Sequence, residues 1–361
     1  MLDGHARPDA GEQQALIQRL LRLGASVEEI DAAAERGGLQ ALTIEILLAP
    51  DRHLTIHEVA ARAGVGVDDA LRLWRAWGFA PPPADDRRFT TVDVEMVRTA
   101  VAIEALFGTH ASFHTARVMG MAVGRIAEAE VAMLRSALEA PLRERGASED
   151  EVLASYEATI GDMIGIADAA IATLHRHQLV ETVRKQMDWG VEANATNVLD
   201  IVVGFADLTD STRLVGALAL EELDHALAVF EELTADIVAS AGATLVKRIG
   251  DAVMFATPAA GVAARVATEL VRQFEQDPVV PPVRVGLAAG RVVARRGDFY
   301  GLPVVVAARL VQVAAPATAL VSAEVARRLQ EPGERWTVCR SEDRALAGID
   351  EPVAAYELET R

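Results

Sequence analysis

Near residue 198 the apolar pattern of this chain changes period, and that change sets the fold. From Glu12 to about Lys185 apolar residues recur three and four apart in an alanine- and leucine-rich text, the spacing of helices that bury one face. One stretch, "GFAPPPADDRRF" at Gly78 to Phe89, interrupts it, because three prolines cannot continue a helix. From Leu199 the text breaks into short β-rich runs: "LDIVVGFADL", "ATLVKRI", "AVMFAT", "VRVGLAAGRVV" and "TALVSA". Between the first two, Leu220, Leu223, Leu227, Phe230, Leu233 and Ile237 make one helical stripe. After Pro258, Ala263, Val266, Leu270 and Phe274 make another. Strand, helix, hairpin, helix, strand is the ferredoxin-like order. The predicted fold class is therefore α+β. An all-helical domain occupies 1–180, a helical linker 181–198, and a ferredoxin-like domain 199–361, with one long helix from about Ala147 to Asp188 leading into the boundary.

Composition narrows the function. With 361 residues, 51% apolar and 24% charged, the chain can build two cores. No apolar run approaches the roughly 18 residues of a membrane helix, and the polar, proline-containing N-terminus lacks a signal-peptide pattern, so a cytoplasmic protein with no membrane partner is expected. The lone Cys339 forms no internal disulfide, and no Cys/His cluster has zinc spacing. A formal net charge of −18 disfavours nucleic acid as a partner, because phosphate binding needs a positive footprint.

Of 35 basic residues only Lys185 and Lys247 are lysines. A chain that writes arginine almost everywhere would have written it at 247 too, unless that position needs a compact ammonium and not a planar fork; the alternative is chance survival of a surface lysine. Four residues on, Asp251 follows Gly250 in the two-residue turn of the "KRIGDAVMF" hairpin, and Asp207 closes the strand "VVGFADL". If the first and second strands are sheet neighbours, the two carboxylates meet at one end. Such a pair repels unless a cation separates it, and hard oxygen ligands suit Mg²⁺ or Mn²⁺ held jointly with phosphates. Alternatively, Asp251 is only a turn residue.

The ordered set "FADLTDST", "LVKRIGDAVMFA", "RRGDFYGLPVVVAARL" and the terminal "LAGIDEPVAAYEL" resembles the class III nucleotide cyclases over about residues 198–358. The resemblance implies a class III catalytic domain making cyclic AMP and pyrophosphate from ATP, with two Mg²⁺ or Mn²⁺ ions per site on Asp207 and Asp251. It implies that Lys247 and Asp298 read the adenine ring, that Arg309 stabilises charge on the reacting α-phosphate, and that the site is shared across a homodimer. Three positions depart from the pattern: Val305 replaces an asparagine that orients the ribose, Asp210 a glycine of the phosphate-binding turn, and Ala347 a basic residue of the C-terminal loop. One lost polar contact to a transition state costs about 10²- to 10³-fold in rate, against total accelerations of roughly 10⁶-fold or more. The pattern is that of a slow or conditionally active cyclase; the alternative is a weak or inactive cyclase-homology ATP sensor.

Leu54 to Val94 is similar to the DNA-binding part of MerR-type regulators, a helix-turn-helix, a Trp-containing helix and a proline turn. A DNA-binding transcription regulator is thus a third reading, opposed by seven arginines against eight acidic residues from Asp51 to Arg98. The whole layout resembles the actinobacterial two-domain cyclases, in which the first domain regulates the second and acid pH can be a signal. Seven of eight histidines (His5, His53, His57, His110, His114, His175 and His177) precede the cyclase-like half, and only His225 lies in it. Histidine titrates near neutral pH, so His175 and His177, nearest the connecting helix, are the candidate regulatory residues for a proton signal. The Ala-, Leu- and Met-rich helices from Val94 to Leu138 could enclose a lipid, or be plain core.

Overall fold

The computed structural model describes residues 10–36, 38–189, 197–209, 216, 218–275, 277, 279–295, 297–331, 336–349 and 351–359. The chain divides into two compact units, Met1–Arg176 and His177–Arg361, and the division falls inside one continuous helix.

The first unit is helical: α1 (Ala10–Arg22), α2 (Val27–Glu35), α3 (Leu39–Leu48), α4 (Ile56–Ala63), α5 (Val67–Ala76), α6 (Thr91–Phe107), α7 (Thr109–Leu134), α8 (Ala140–Glu144) and α9 (Glu149–Asp188). It has two separate cores. Leu16, Leu20, Ile30 and Ile46 from α1–α3 close over Val152, Leu153, Tyr156 and Ile160 at the start of α9. Leu54, Val59, Leu73, Phe89, Val97 and Phe113 form the second, around α4–α7. The α4–α5 pair is a helix-turn-helix with clear local causes. Thr55 and Glu58 make a reciprocal capping box at the start of α4, and Gly64, at φ 76°, ends it in the left-handed conformation that a Cβ disfavours. The proline stretch folds back on the pair: Trp74 Nε1 donates to Ala80 O at 2.9 Å, Trp74 stacks on Phe79, and Phe89 bridges Leu54.

The second unit comprises β1 (Val198–Leu208), α10 (Leu220–Ser240), β2 (Thr244–Ile249), β3 (Ala252–Thr257), α11 (Ala260–Glu275), β4 (Val283–Arg295), β5 (Asp298–Tyr300), α12 (Leu302–Val313), β6 (Ala319–Ser322), α13 (Ala323–Leu329), β7 (Val338–Arg340) and β8 (Ala355–Leu358). The strands form one sheet in the order β2-β3-β1-β4-β6-β8-β7, with β5 added to β4. Its first four strands are the ferredoxin-like arrangement. Helices cover both faces, which is why β1 reads as an unbroken apolar run. Val202, Ala206 and Leu208 face α10, α11 and α13, while Ile201, Val203 and Phe205 face Val306, Ala307 and Leu310 of α12.

Two expectations are corrected here. The strand beside β1 is not β2 but β3, antiparallel, with β4 on the other side. The reason is topological: the crossover through α10 carries β2 past the position that its hairpin partner then fills. The α10 stripe is also rotated. Among its described residues, those fully buried are Ala226, Phe230, Thr234 and Val238, whereas Leu220 is 81% exposed. Two of the four are small or polar, so the larger leucines on the flank misplaced the centre of the stripe. On α11 the expected Ala263, Val266, Leu270 and Phe274 are all fully buried.

Candidate functional site

Backbone pairing alone brings the two aspartates together. Asp207 is the penultimate residue of β1 and opposes Ala252, the first residue of β3. Asp251 precedes Ala252 in the hairpin turn, which Gly250 makes with φ 61°, and its carbonyl accepts from Leu208 N at 3.3 Å. The carboxylates therefore share the end of one strand pair. Asp207 is only 16% exposed. Burial pushes its pKa above the ordinary 3.8, hydrogen bonds from Arg284 pull it back, and the charge of Asp251 raises it further. Two acidic groups at one strand end, one of them partly buried, are a donor set that suits a hard divalent cation.

The resident cation in this structure is a side chain. Arg284, opposite Asp207 in the β1–β4 register, donates to its Oδ2 from Nη2 at 2.7 Å and Nε at 3.1 Å. Its Nη1 donates to Gln312 O at 3.1 Å. Sequence reading missed Arg284, although a lone charge inside the apolar run "VRVGL" was the available signal. Its partner became visible only with the register of two strands 77 residues apart.

Lys247 and Asp298, 51 residues apart, are brought together: Lys247 Nζ donates to Asp298 Oδ2, and Asp298 Oδ1 accepts from Phe299 N at 2.8 Å. Lys247 opposes Met254, which opposes Phe205, which opposes Gly286 on β4. Asp298 opposes Arg295, nine residues further along β4, or about 30 Å if that strand ran straight at roughly 3.3 Å per residue. A lysine side chain spans a fraction of that, so the β4–β5 arm curls back over the sheet. Gly290, at φ 144°, lies within the curl. Ammonium and carboxylate face each other as one donor and one acceptor, fixed by mutual charge.

Arg309 lies on α12. Its Nε donates to Ala347 O at 3.1 Å and its Nη1 to Gln312 Oε1 at 2.9 Å. Val305, one turn earlier, is 43% exposed. Ala347 thus contributes a carbonyl to Arg309 and no positive charge. Asp210 lies outside the described residues.

Other expected features fall away from this cluster in sequence. His175 and His177 are exposed on α9 and flank the division between the units. Arg52, Arg72, Arg87, Arg88 and Arg98 around the helix-turn-helix are each paired with a carboxylate, which leaves little positive footprint for a phosphate backbone. On α6 and α7, Leu106, Phe107, Met119, Met121, Val123 and Met133 are exposed. No helix among the described residues is long and apolar enough to cross a membrane.

Comparison with known proteins gives a consistent assignment. Residues 1–187 match the adenylate cyclase regulatory domain family. An uncharacterized protein of Mycobacterium tuberculosis is 34% identical over 350 residues, covering 96% of this chain and 90% of that protein. An adenylate cyclase of Streptomyces coelicolor is 33% identical over 292 residues, covering 80% of this chain and 75% of its own. A pH-sensitive adenylate cyclase of M. tuberculosis is 27% identical over 367 residues, covering 99% and 89%. The regulatory-domain match over residues 1–187 and the identity to the Streptomyces coelicolor enzyme over 80% of the chain place it among the actinobacterial adenylate cyclases, and to that family it belongs.

Proposed function

We propose that this adenylate cyclase converts ATP to 3′,5′-cyclic AMP and pyrophosphate at sites built from two copies of the chain. The observation that carries the reading is the Asp207–Asp251 pair, placed at one strand end by the β1–β3 register with Asp207 raised in pKa by burial and by its neighbour. Asp207 and Asp251 would hold two Mg²⁺ or Mn²⁺ ions, with Arg284 releasing Asp207 as they bind. When bound, the ions lower the pKa of the ribose 3′-hydroxyl and neutralise the departing pyrophosphate. Lys247 donates to a ring acceptor of adenine and Asp298 accepts from its exocyclic amine; guanine presents the opposite pattern, so the pair selects ATP over GTP. Arg309 places positive charge where it develops on the α-phosphate. Because Lys247 and Asp298 read the base for the Asp207–Asp251 pair of a second copy, a homodimer carries two such sites.

Val305 supports a second reading, a weak ATP-binding sensor, since an exposed valine one turn before Arg309 offers the ribose no hydrogen bond. A proton signal acting through His175 and His177 fits the similarity to the pH-sensitive relative. The deciding experiment incubates the purified chain with Mn²⁺ and ATP and assays cyclic AMP. Product that disappears in Asp251→Ala supports the cyclase; bound ATP without product supports the sensor.

A further inference from the structure

Resting on that reading of Arg309, we propose that Gln312 is the positioning residue that aims Arg309 while leaving its charge intact. Gln312 stands in the last turn of α12, three residues after Arg309. Its carbonyl has no helical donor, because the residue four further on is Pro316, which lacks an N–H. Arg284 fills that vacancy from the Asp207 side at 3.1 Å. The Gln312 side chain turns the other way and accepts from Arg309 Nη1 at 2.9 Å. One residue therefore holds two guanidinium groups, the first with its backbone and the second with its amide, in the sequence Asp207, Arg284, Gln312, Arg309, Ala347.

The chemistry of the acceptors distinguishes this from an ordinary surface pair. The two hydrogen bonds of Arg309 go to a carboxamide oxygen and a backbone carbonyl, both uncharged. A guanidinium has five N–H donors, so Nη2 and the second Nη1 proton remain for substrate. In a chain of net charge −18, with so many arginines tied to carboxylates, Arg309 makes no ion pair among the described residues. Neutral acceptors fix the direction of the fork without cancelling the charge that a developing phosphate anion needs. A carboxylate at 312 would hold the arginine as well and quench it.

The test uses the full-length chain with Mn²⁺ and saturating ATP. Gln312→Met, which keeps the length and removes the acceptor, is expected to lower kcat about tenfold at unchanged KM, since the lost bond orients a group that acts in the transition state. Gln312→Glu is also expected to lower kcat, with the melting temperature no lower than wild type. In an Arg309→Ala background, Gln312→Met is expected to have no further effect, which a merely structural role would not produce. Wild-type kcat in Gln312→Met, or an undiminished loss in the Arg309→Ala background, overturns the proposal while leaving the cyclase reading intact. Absence of cyclic AMP from the wild-type chain overturns both.

Discussion

Gly286→Ala tests whether the sheet sets the position of Arg309. Gly286 lies on β4 beneath α12, and a Cβ built there would stand 2.4 Å from Ala307 O and 2.5 Å from Val311 N. Ordinary contact begins at 3.4 Å, so the methyl group is short of room by about 1 Å in an interior packed as densely as a crystal. Both obstructing atoms are helix backbone, and no rotamer change relieves them; α12 itself has to move, carrying Val305, Arg309 and Gln312. Overpacking of this kind costs about 1–3 kcal/mol. For a unit of 185 residues, His177–Arg361, this is a fall in melting temperature of about 2–12 °C. Misplacing a catalytic group by 1 Å costs about 10²-fold in rate. The expected result is a folded protein, slightly less stable, with kcat for cyclic AMP reduced about 10²-fold. Gly204→Ala is the control. Its Cβ would meet the Phe255 ring at 2.2 Å, on the sheet face away from α12. That variant should lose stability and keep most of its kcat. A Gly286→Ala enzyme within twofold of wild type, or two variants losing rate equally, refutes the claim that α12 seating governs Arg309.

Mn²⁺ at 100 times its dissociation constant should stabilise the wild-type cyclase unit by about 2.7 kcal/mol in a thermal melt, and Asp251→Ala should abolish the shift. Because the Asp207 pKa is raised in the fold, its protonated form favours the native state: this contribution is fully present below the unfolded value near 3.8 and is lost as pH rises through the raised native value. Asp207→Asn should therefore melt no lower than wild type at pH 7 without metal, yet gain nothing from Mn²⁺; a clear drop in metal-free stability would contradict the assigned environment. Lys247→Glu turns a donor into an acceptor and should cut kcat/KM for ATP by about 10²-fold or more while raising relative use of GTP; unchanged selectivity would remove Lys247 from base reading. His175→Gln with His177→Gln in the full chain should flatten the activity profile between about pH 5.5 and 8, and an unaltered profile would exclude these histidines as the proton sensor.

Strong local signals in the sequence carried through to the structure. The change of period near residue 198, the Gly250-Asp251 turn and the α11 stripe each depend on neighbours within one element, and each is found as expected. What escaped was non-local or small. The phase of α10 turned on Ala226 and Thr234, one small and one polar, which are buried while larger flanking leucines are not fully so. The outer strands β5, β7 and β8 are three or four residues long, too short to show alternation. For the proposed site the motif pointed to Asp207, Asp251, Lys247, Asp298 and Arg309, whereas it did not point to the Arg284 counter-charge or the Gln312 link. Both depend on which strand lies beside β1 and on where α12 ends against Pro316, facts of register that no window of sequence contains.

The most direct test of a site shared between two copies is complementation. In the proposed site Asp251→Ala would lack one metal carboxylate and Arg309→Ala the charge supplied by the other copy, so each alone should fall far below wild type. Mixed and allowed to exchange subunits, they should recover about one quarter of wild-type cyclic AMP production, since half the dimers are mixed and each of those holds one intact site. A mixture no more active than its parents, under conditions where mixed dimers are shown to form, would contradict the shared site.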